Sequence, residues 1–455
     1  MTKIIECVPN VSEGRDRGVL EQIADAVRAV EGVVLLDVDP GVETHRTVFT
    51  FVGAPQPVAE AAFRFAQVAL RLIDMSQHHG AHARMGAVDV MPFVPAGGGA
   101  TMDECVALAR QVGQRIGEEL QIPVYLYEHA ATRPERQNLA EVRRGEYEGL
   151  AARLQSDEGR PDFGPATFVP RSGATAVGAR PFLIAYNVDL DTTERKLAHD
   201  IALDIREQGR FRRDENGKIV RDAEGNKLRK PGLHRKVRAV GWYIPEFGRA
   251  QVSINLTDYR VTAPHQVFET IRELARQRGL RVTGSEIVGL VPLDAMLMAG
   301  RYYLRQQGRS DALPEPDLVA QAVTSLGLDD VKPFEPGEAI IDYRLAARQQ
   351  GLRAMSLTDF ADELSRPTPA PGGGSVAALA GALAAALISM VSSLTHASAR
   401  TPQAQRQQLE AWGHQAQSLK DRLLRAIDED TAAFDAIGAA RRLPRKTDEQ
   451  KAARE

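Results

Sequence analysis

Hydrophobic and polar positions along the first 340 residues alternate between two periods. Short runs such as KIIECVPNV and VDVMPFVP are mostly apolar, and each predicts a buried strand. Between them, stretches such as PQPVAEAAFRFAQVALRLI place apolar residues three or four positions apart and predict amphipathic helices. Thr101 and Glu104 have the T-x-x-E spacing of a capping box before one such helix. This alternation of strands and helices predicts α/β folding.

The pattern divides into two successive α/β sets and then changes. We predict one α/β subdomain over residues 1–180, a second over residues 181–340, and a linker over residues 341–355. No strand pattern appears after that, so residues 356–455 are predicted to form an all-α helical segment. Its most apolar stretch, Val376–Val391, is rich in alanine and short for a membrane span, which favours a packed helix.

Composition and charge exclude several classes of function. The chain has 455 residues, of which 43% are hydrophobic and 26% charged, and its formal net charge is −3. These values predict a globular protein of two or three domains without a global nucleic-acid-binding field. Two cysteines, Cys7 and Cys105, are too few for a disulfide framework and are typical of a reducing compartment. The start of the sequence lacks the apolar core of a signal peptide, so we expect a cytoplasmic protein without a membrane partner.

Three of the ten histidines lie in the run HHGAHARMGAVDVMPF, at residues 78–93, and their role is open. His78 and His82 have the i, i+4 spacing of zinc ligands on a helix, but Gly80 interrupts the run and no cysteine or acid lies close by. We therefore predict no metal here. A structural turn and a catalytic base remain, because loops that precede strands of α/β folds often hold catalytic groups. The pattern alone does not decide between these two.

Three further segments have compositions that suit a ligand. The Pro- and Gly-rich segment Pro161–Phe182 is either a ligand-binding loop or an ordinary interdomain loop. In PGGGSVAALAGALAAAL, Ser375 is predicted as the N-cap of a long helix whose first amides suit an anion; close crossing of two helices is the alternative. In AIDEDTAAF, Asp428 or Asp430 is a proton carrier if it faces a bundle interior, and a solvated residue otherwise.

An insertion at Arg210–Arg238 is rich in lysine and arginine and contains the turn signals ENGK and EGNK. One interpretation is a solvated β-hairpin, and the other is a basic flap for a polyanionic ligand. The sequence leaves these two interpretations of the insertion open.

Long motifs of the first part resemble glutamate formiminotransferase: CVPNVSEGR, HHGAHARMGAVDVMPFVP, PDFGPATFVPRSGATAVGARPFLIAYNV and AQVSINLTDY. SLTDFADELSRPTPAPGGGSVAALAGALAAALISMV and DEDTAAF are similar to the start of formiminotetrahydrofolate cyclodeaminase. Their order resembles the bifunctional formiminotransferase–cyclodeaminase family over nearly the whole chain. The resemblance implies formimino transfer between N-formimino-L-glutamate and tetrahydrofolate in histidine degradation. It also implies closure to 5,10-methenyltetrahydrofolate with release of ammonia.

The resemblance also implies functional residues. The family's transferase base falls on His82, which makes His78 and His79 its neighbours, and the cyclodeaminase acid falls on Asp430, with Asp428 as the alternative. The family's folate-binding loop falls on Phe163, Gly164, Pro165, Ala166, Thr167, Phe168, Val169, Pro170, Arg171 and Ser172. The folate loop of the cyclodeaminase falls on Gly372, Gly373, Gly374 and Ser375.

Several expectations about ligands and assembly follow from the resemblance. Tetrahydrofolate is the co-substrate, polyglutamylated and without a metal, and the protein is a homo-oligomer. Arg171 and the basic insertion are candidates to hold the acidic tail of folate, and Asp89 is a candidate to orient the His82 ring. Residues 356–455 resemble only the first part of a cyclodeaminase, so we expect little ammonia release from this chain alone. The alternative is a monofunctional formiminotransferase whose helical segment is a non-catalytic folate-binding or oligomerisation module.

Overall fold

The computed structural model describes residues 3–42, 44–80, 83–245, 248–346 and 351–444. The chain divides into two compact units. The first comprises Met1–Tyr186, Leu203–Val240 and Ser253–Thr262, and the second comprises Asn187–Ala202, Gly241–Val252 and Ala263–Glu455. The predicted boundaries at residues 180, 340 and 356 stay predictions.

The described residues form thirteen strands. They are β1 (Ile4–Cys7), β2 (Asn10–Val11), β3 (Val33–Gly41), β4 (Arg46–Gly53), β5 (Val88–Gly97), β6 (Val124–Glu128), β7 (Thr175–Ala179), β8 (Ile184–Leu190), β9 (Arg210–Phe211), β10 (Arg229–Lys230), β11 (Val237–Ile244), β12 (Arg249–Leu256) and β13 (Val282–Val288).

The same ranges contain fourteen α-helices. They are α1 (Arg17–Arg28), α2 (Pro55–Leu72), α3 (Met102–Glu119), α4 (Leu139–Val142), α5 (Glu146–Arg153), α6 (Arg195–Ile205), α7 (Pro264–Gln277), α8 (Leu293–Gln306), α9 (Glu315–Leu326), α10 (Pro336–Ala339), α11 (Ile341–Ala346), α12 (Leu357–Leu364), α13 (Gly373–Ala397) and α14 (Gln403–Arg442). Strands followed by an all-helical region confirm the predicted fold class.

A seven-stranded mixed sheet organises the first unit. Its strand order is β1-β4-β2-β5-β7-β6, and β3 pairs with β4 at the side of this path. β7 pairs in parallel with both β5 and β6, whereas β4 pairs antiparallel with β1, β2 and β3. Residues between β6 and β7, among them the predicted folate loop, therefore return the chain from the edge strand β6 to the place between β5 and β6.

The prediction that Pro161–Phe182 forms one loop is wrong at β7. All five residues of β7 are buried, although four of them are small or hydroxylated (TAVGA) and give little apolar signal. Close packing explains the small residues, because a Cβ added at Gly178 would lie 2.5 Å from Cδ1 of Tyr127. The strand is therefore specified by its two parallel neighbours and not by its own composition.

Helices α1, α2 and α3 bury their apolar faces within the first unit. The predicted capping box is confirmed: the Thr101 hydroxyl accepts from the Glu104 amide, and the Glu104 carboxylate accepts from the Thr101 amide. α1 buries Leu20, Ile23 and Val27, and each such side chain stabilises the fold by roughly 1.5–3 kcal/mol.

Both cysteines contribute to the core of the first unit. Cys7 lies in β1 and Cys105 in α3, and each is fully buried. Burial raises the pKa of the Cys105 thiol to about 12 and that of Cys7 well above its usual value. Neither thiol is therefore a nucleophile at neutral pH.

A second sheet has four strands in the order β11-β12-β8-β13. Along β12 the even-numbered residues, such as Ala250 and Val252, are buried and apolar, whereas the odd-numbered residues include Arg249 and Gln251. This period of two gives the sheet one apolar face and one face that carries polar groups.

The basic insertion forms a β-hairpin at its base, as predicted. β9 pairs antiparallel with β10, and two turns of similar sequence follow one another between them. In the first turn the guanidinium of Arg213 donates to the carbonyl of Gly217 at 2.6 Å. In the second turn Arg221 donates to Gly225 at the same distance. These two arginines therefore stabilise their own turns.

The C-terminal helical segment packs α13 lengthwise against α14. The buried residues of α13 recur every three or four positions and are small: Ser375, Ala378, Ala382, Ala385, Ser389 and Ser392. Small residues let two helices approach closely, and a Cβ added at Gly381 would lie 3.0 Å from Cδ1 of Leu423. Larger apolar residues of α13, such as Leu387 and Leu394, are more than half exposed.

Among the described helices, α13 alone has the length and composition of a membrane-spanning helix, with a mean hydropathy of 2.0. Its pattern is weak evidence for a membrane, because core helices of other proteins have similar sequences.

The prediction of Ser375 as an N-cap is wrong. α13 begins at Gly373 after the N-cap Gly372, so Ser375 lies inside the first turn. Its hydroxyl is buried and donates to the carbonyl of Ile427 on α14 at 2.9 Å. The serine therefore joins two helices and does not cap one.

Candidate functional site

The predicted transferase base, His82, lies outside the described residues, as does Ala81. The structure describes the chain on both sides of this pair. A cleft of about 510 Å³ is lined by His79, Gly80, Arg84, Gly145, Glu146 and Glu148. Gly80 and Arg84 belong to the described segments before and after residues 81–82, so the cleft is lined by residues close to His82 in sequence.

His78 has a structural role in this segment. It is 5% exposed, its ring stacks on His45 with centroids 4.4 Å apart, and its Nε2 lies 2.9 Å from the carbonyl of His45. The Nε of Arg84 donates to its Nδ1 at 3.3 Å, so His78 carries its proton on Nε2. Burial lowers the pKa of His78, which keeps the ring neutral.

His45 and Glu13 hold the other side of the same segment. The Nδ1 of His45 lies 3.0 Å from the carbonyl of His79, and its Nε2 lies 3.1 Å from Oε1 of Glu13. The His45 ring thus connects Glu13 to the backbone of the histidine run. Burial alone would raise the pKa of Glu13, but the amides of Asp16 and Arg15 and the His45 ring outweigh burial and lower it.

Arg84 supplies positive charge beside the cleft and is itself paired. Its guanidinium donates to Glu148 at 2.6 and 2.9 Å and to Glu146 at 3.3 Å. The Glu148 hydrogen bond raises the pKa of Arg84, and the same contact lowers the pKa of Glu148. Both carboxylates line the cleft, so this wall can accept hydrogen bonds from a ligand.

Asp89 is fully buried and has partners of its own. It accepts from the amide of Met85 at 3.0 Å and forms an ion pair with Arg143. These contacts hold Met85, in the middle of the histidine run, and Arg143 against the start of β5. The described contacts thus give Asp89 a backbone-positioning role that the sequence analysis did not predict.

The predicted folate loop, residues 163–172, is anchored tightly at its first end. The amide of Val124 donates to the carbonyl of Phe163 at 3.0 Å, which ties the loop to β6. Gly164 has φ +79°, and a Cβ added there would lie 2.1 Å from the carbonyl oxygen of Ile122. A Cβ added at Gly117 would likewise lie 2.7 Å from Cβ of Phe163. Only glycines therefore allow this close approach.

The other end of the loop lies beside the chain that flanks His82. The amide of Tyr147 donates to the carbonyl of Arg84 at 2.8 Å, and the Tyr147 hydroxyl donates to the carbonyl of Pro170 at 2.5 Å. The Tyr147 ring also packs on Phe168, with centroids 5.4 Å apart. Tyr147 thus connects the loop to Arg84. The sequence offers no signal for this role, because a single tyrosine at the start of a helix is unremarkable by pattern.

Arg171 and Ser172 end the loop and contact neighbouring backbone. The guanidinium of Arg171 donates to the carbonyl of Arg71 at 2.8 Å. The backbone carbonyl of Arg171 accepts from the amide of Met75 at 2.9 Å. The carbonyl of Ser172 accepts from the amide of Ala87 at 2.8 Å. Arg171 therefore has a structural partner in addition to the ligand role predicted for it.

A second group of predicted residues meets in the C-terminal segment. The Ser375 hydroxyl lies 3.3 Å from Oδ2 of Asp430 and 3.2 Å from the Thr431 hydroxyl. A Cβ added at Gly374 would lie 2.1 Å from Oδ1 of Asp430, whereas one added at Gly373 would meet nothing within 4 Å. Asp430 therefore lies directly against the first turn of α13.

Asp428 faces a different segment of the chain. It accepts from the amide of Arg353 at 3.3 Å, and its Oδ2 lies 3.3 Å from Nε of Arg353. A Cβ added at Gly351 would lie 2.8 Å from both of its carboxylate oxygens. These contacts give Asp428 a structural role at the start of the helical segment, whereas Asp430 lies beside Gly374.

Among the described residues, one group has the spacing of metal ligands: Asp311, Glu410 and His414, whose ligand atoms lie within 4.8 Å of one another. Asp311 is fully buried, and it lies 2.8 Å from Nε2 of His414 and 2.6 Å from Nε of Arg305. Burial alone would raise the pKa of Asp311, but hydrogen bonds from His414 and Glu410 hold it well below its usual range. Ion pairs with Arg305 and His414 therefore stabilise the Asp311 carboxylate within this group.

Three family models match successive parts of the chain. They are the formiminotransferase domain, N-terminal subdomain (residues 4–180), the formiminotransferase domain (residues 185–346) and formiminotransferase-cyclodeaminase (residues 356–455).

The chain is also similar to curated proteins over its whole length. It is 46% identical to the formimidoyltransferase-cyclodeaminase of Sus scrofa over 455 residues, which cover 99% of this chain and 80% of that protein. It is 46% identical to that of Dictyostelium discoideum over 398 residues, which cover 87% of this chain and 71% of that protein. The glutamate formimidoyltransferase of Streptococcus pyogenes serotype M1 is 42% identical over 305 residues, which cover 67% of this chain and 94% of that protein.

Proposed function

Because the chain belongs to the formiminotransferase-cyclodeaminase family, we propose that it transfers the formimino group of N-formimino-L-glutamate to tetrahydrofolate and then closes the product to 5,10-methenyltetrahydrofolate. The observation that carries this proposal is 45–46% identity to bifunctional relatives over 99% of the chain. The match extends through all three parts of the sequence, including the helical segment. Tetrahydrofolate is the co-substrate that this family requires.

The transfer step exchanges one amine for another at the formimino carbon. N5 of tetrahydrofolate attacks this carbon, the bond from the carbon to the glutamate nitrogen breaks, and one proton moves from N5 to the departing nitrogen. We assign this proton movement to His82, because one imidazole that titrates near neutrality can take and return it. The described surroundings support the assignment: His45, Glu13 and Arg84 fix the segments on both sides of residues 81–82.

The loop of residues 163–172 is proposed to bind the folate. Gly164 brings its backbone close to Ile122, and Tyr147 connects Pro170 to Arg84, so the loop has a fixed place relative to the cleft. A pre-organised loop of this kind loses little entropy when the ligand binds. The cleft wall formed by Arg84 and its two carboxylates supplies both signs of charge for a zwitterionic substrate.

The cyclisation step takes place, in this proposal, at Asp430. N10 attacks the carbon of the protonated formimino group, the bond from that carbon to the terminal nitrogen breaks, and ammonia leaves the cationic methenyl product. Asp430 takes the N10 proton and delivers it to the leaving nitrogen. Its position against Gly374 and Ser375 supports this role, because the folate loop proposed for this step, Gly372–Ser375, then adjoins the proton carrier.

The decisive experiment follows the absorbance of methenyltetrahydrofolate, with and without added full-length cyclodeaminase. Formation of methenyltetrahydrofolate by the chain alone supports both steps, and formation only with the added enzyme supports the transferase alone. His82→Ala is expected to lower transfer strongly while folate binding survives, and His129→Ala, at an exposed histidine, serves as the control. Transfer by His82→Ala at the wild-type rate contradicts its assignment as the base.

We further propose that the basic insertion binds the polyglutamate tail of folate. Arg213 and Arg221 are partnered by their own turns, and the exposed Lys218, Lys227 and Lys230 are among the other charges of the insertion that can meet a tail. Replacing these three lysines by glutamine is expected to weaken the binding of polyglutamylated folate more than the binding of the monoglutamate. Equal effects on both ligands contradict this role.

The remaining proposals concern assembly and location. We propose a homo-oligomer, because Leu383, Leu387 and Leu394 leave an apolar face of α13 more than half exposed, which a second copy can cover. Light scattering that reports a monomer contradicts it. A cytoplasmic location is proposed from the two free cysteines, and fractionation of cells that express the tagged chain tests it.

A further inference from the structure

The polar face of the second sheet gathers side chains from three neighbouring strands. The Nδ2 of Asn187 on β8 donates to Oε1 of Glu286 on β13 at 2.9 Å. The Nε2 of Gln251 on β12 donates to the same oxygen at 3.2 Å. Asp189 lies two residues beyond Asn187 on β8 and therefore on the same face. The face thus carries two carboxylates side by side.

Glu286 is fully supplied with partners. Besides the two amides, the Nζ of Lys332 lies 3.2 Å from its Oε2. The Lys332 side chain is 54% exposed, so the cluster reaches solvent at this lysine.

Asp189 differs from Glu286 because it is less well supplied with hydrogen-bond donors. It is 1% exposed, and neither of its carboxylate oxygens has a hydrogen-bond partner in the part of the chain that the structure describes. The neighbouring Gln251 amide gives its hydrogen bond to Glu286. Burial raises the pKa of Asp189; the nearby Gln251 amide and the charge of Arg249 lower it, and the charge of Glu286 raises it, so the pKa stays above its usual value. A buried carboxylate whose one neighbouring amide is already engaged by Glu286 is costly for the folded chain, which points to a further donor that arrives with a ligand.

The two oxygens of one carboxylate match a planar ligand group that presents two parallel N–H bonds from an N–C–N unit. We propose that Asp189 binds such an N–C–N donor fork of a transferase substrate, with Glu286 and its amides fixing the wall beside it. This inference rests on the proposed transferase function. Two groups in that reaction have the required chemistry: the amidine of the formimino group and the 2-amino-pyrimidinone edge of the pterin.

The test replaces Asp189 by asparagine, which keeps the size of the side chain and removes one acceptor and the charge. We expect kcat/KM of transfer to fall about 100-fold, as for loss of a hydrogen-bonded charged partner. The unfolding temperature is expected to stay equal to that of the wild type or to rise, because the substitution removes a buried charge that has few partners. A residue with a purely structural role would lower both quantities together.

The matched control is Asp191→Asn, two residues further along the chain. Asp191 lies at the end of β8, where it accepts from the amide of Arg281 at 2.7 Å and pairs with its guanidinium at 3.2 Å. This variant removes a carboxylate from the same segment but leaves the polar cluster intact. It is expected to transfer the formimino group at the wild-type rate. Asp189→Ala is measured beside Asp189→Asn, and both are expected to lose activity.

Two binding measurements distinguish the source of the fork. 5-Formyltetrahydrofolate carries the pterin but no amidine, so weaker binding of this ligand by Asp189→Asn assigns the fork to the pterin. Unchanged binding together with a raised KM for N-formimino-L-glutamate assigns it to the formimino group. Wild-type kcat/KM for both substrates in both Asp189 variants overturns the inference and leaves the proposed function standing. A wild-type chain without transferase activity contradicts the proposed function itself.

Discussion

Substitution of Gly164 by alanine tests whether the predicted folate loop depends on its close approach to the sheet. Gly164 has φ +79°, and its added Cβ would lie 2.1 Å from the carbonyl oxygen of Ile122. Gly99 offers a matched control, because it has φ +77° and its added Cβ would meet nothing within 4 Å. Both variants pay the same cost of a left-handed alanine, so their difference measures the steric effect alone.

The expected magnitudes follow from this geometry. A left-handed alanine costs about 1–2 kcal/mol at either position. At Gly164 the loop must also retreat by more than 1 Å to reach an ordinary contact of 3.4 Å, and such overpacking costs about 1–3 kcal/mol more. A displacement of this size in a ligand-binding segment lowers activity by up to about 100-fold. Gly164→Ala is therefore expected to lose about 2–5 kcal/mol of stability and to raise the KM for tetrahydrofolate.

Two measurements check this expectation on purified variants. Thermal or denaturant unfolding gives the loss of stability, and steady-state transfer at varied tetrahydrofolate gives the KM. Gly99→Ala is expected to keep the wild-type KM and to lose only the smaller amount of stability. If both alanine variants unfold together and share one KM, the tight contact at Gly164 does not position the loop, and the argument fails.

Three further predictions follow from the helical segment and from a buried histidine. Gly374→Ala is expected to abolish methenyltetrahydrofolate formation but not formimino transfer, because the added Cβ displaces Asp430. The control, Gly373→Ala, is expected to retain both steps. Equal rates of methenyltetrahydrofolate formation in the two variants contradict the assignment of Asp430. Asp428→Asn is expected to lower only the stability of the helical segment in chemical unfolding, since Asp428 pairs with Arg353. If this variant loses ammonia release, Asp428 and not Asp430 is the cyclodeaminase acid. Burial lowers the pKa of His265 to about 4, so the folded state disfavours the imidazolium, and the free energy of unfolding falls as the pH drops from about 6.5 to 4. Urea titration at several pH values is expected to show that the wild type loses up to about 3 kcal/mol more than His265→Phe over this range. Parallel pH profiles of the two proteins would refute the prediction.

The elements with strong periodic patterns could be predicted from the sequence, and those specified by their neighbours could not. α2 and α3 were predicted because their apolar spacing and caps are local signals. β7 was missed because its small residues are selected by contact with β5 and β6, which are distant in sequence. The same reason explains Ser375: its partner, Ile427, lies 52 residues away, and a local capping rule cannot anticipate it.

The candidate site shows the same division. The motifs pointed to His82, the loop of residues 163–172 and Asp430, whose assigned roles stay predictions. The groups around them were not predictable, because Tyr147, His45 and Glu13 act through contacts between distant segments. Asp189 is the extreme case. Its strand pattern is an ordinary alternation, and only its burial and its short supply of donors within the described residues distinguish it from a solvated acid.

The burial of both native thiols has a practical consequence for measurements on this molecule. Cys7 and Cys105 are the two cysteines of the sequence, and both are fully buried with raised pKa values, so maleimide reagents react with them slowly. A cysteine introduced at the exposed Lys218 would then react first and alone. A fluorophore attached there would report on folate tails that approach the basic insertion, in a chain that keeps all of its native residues except one.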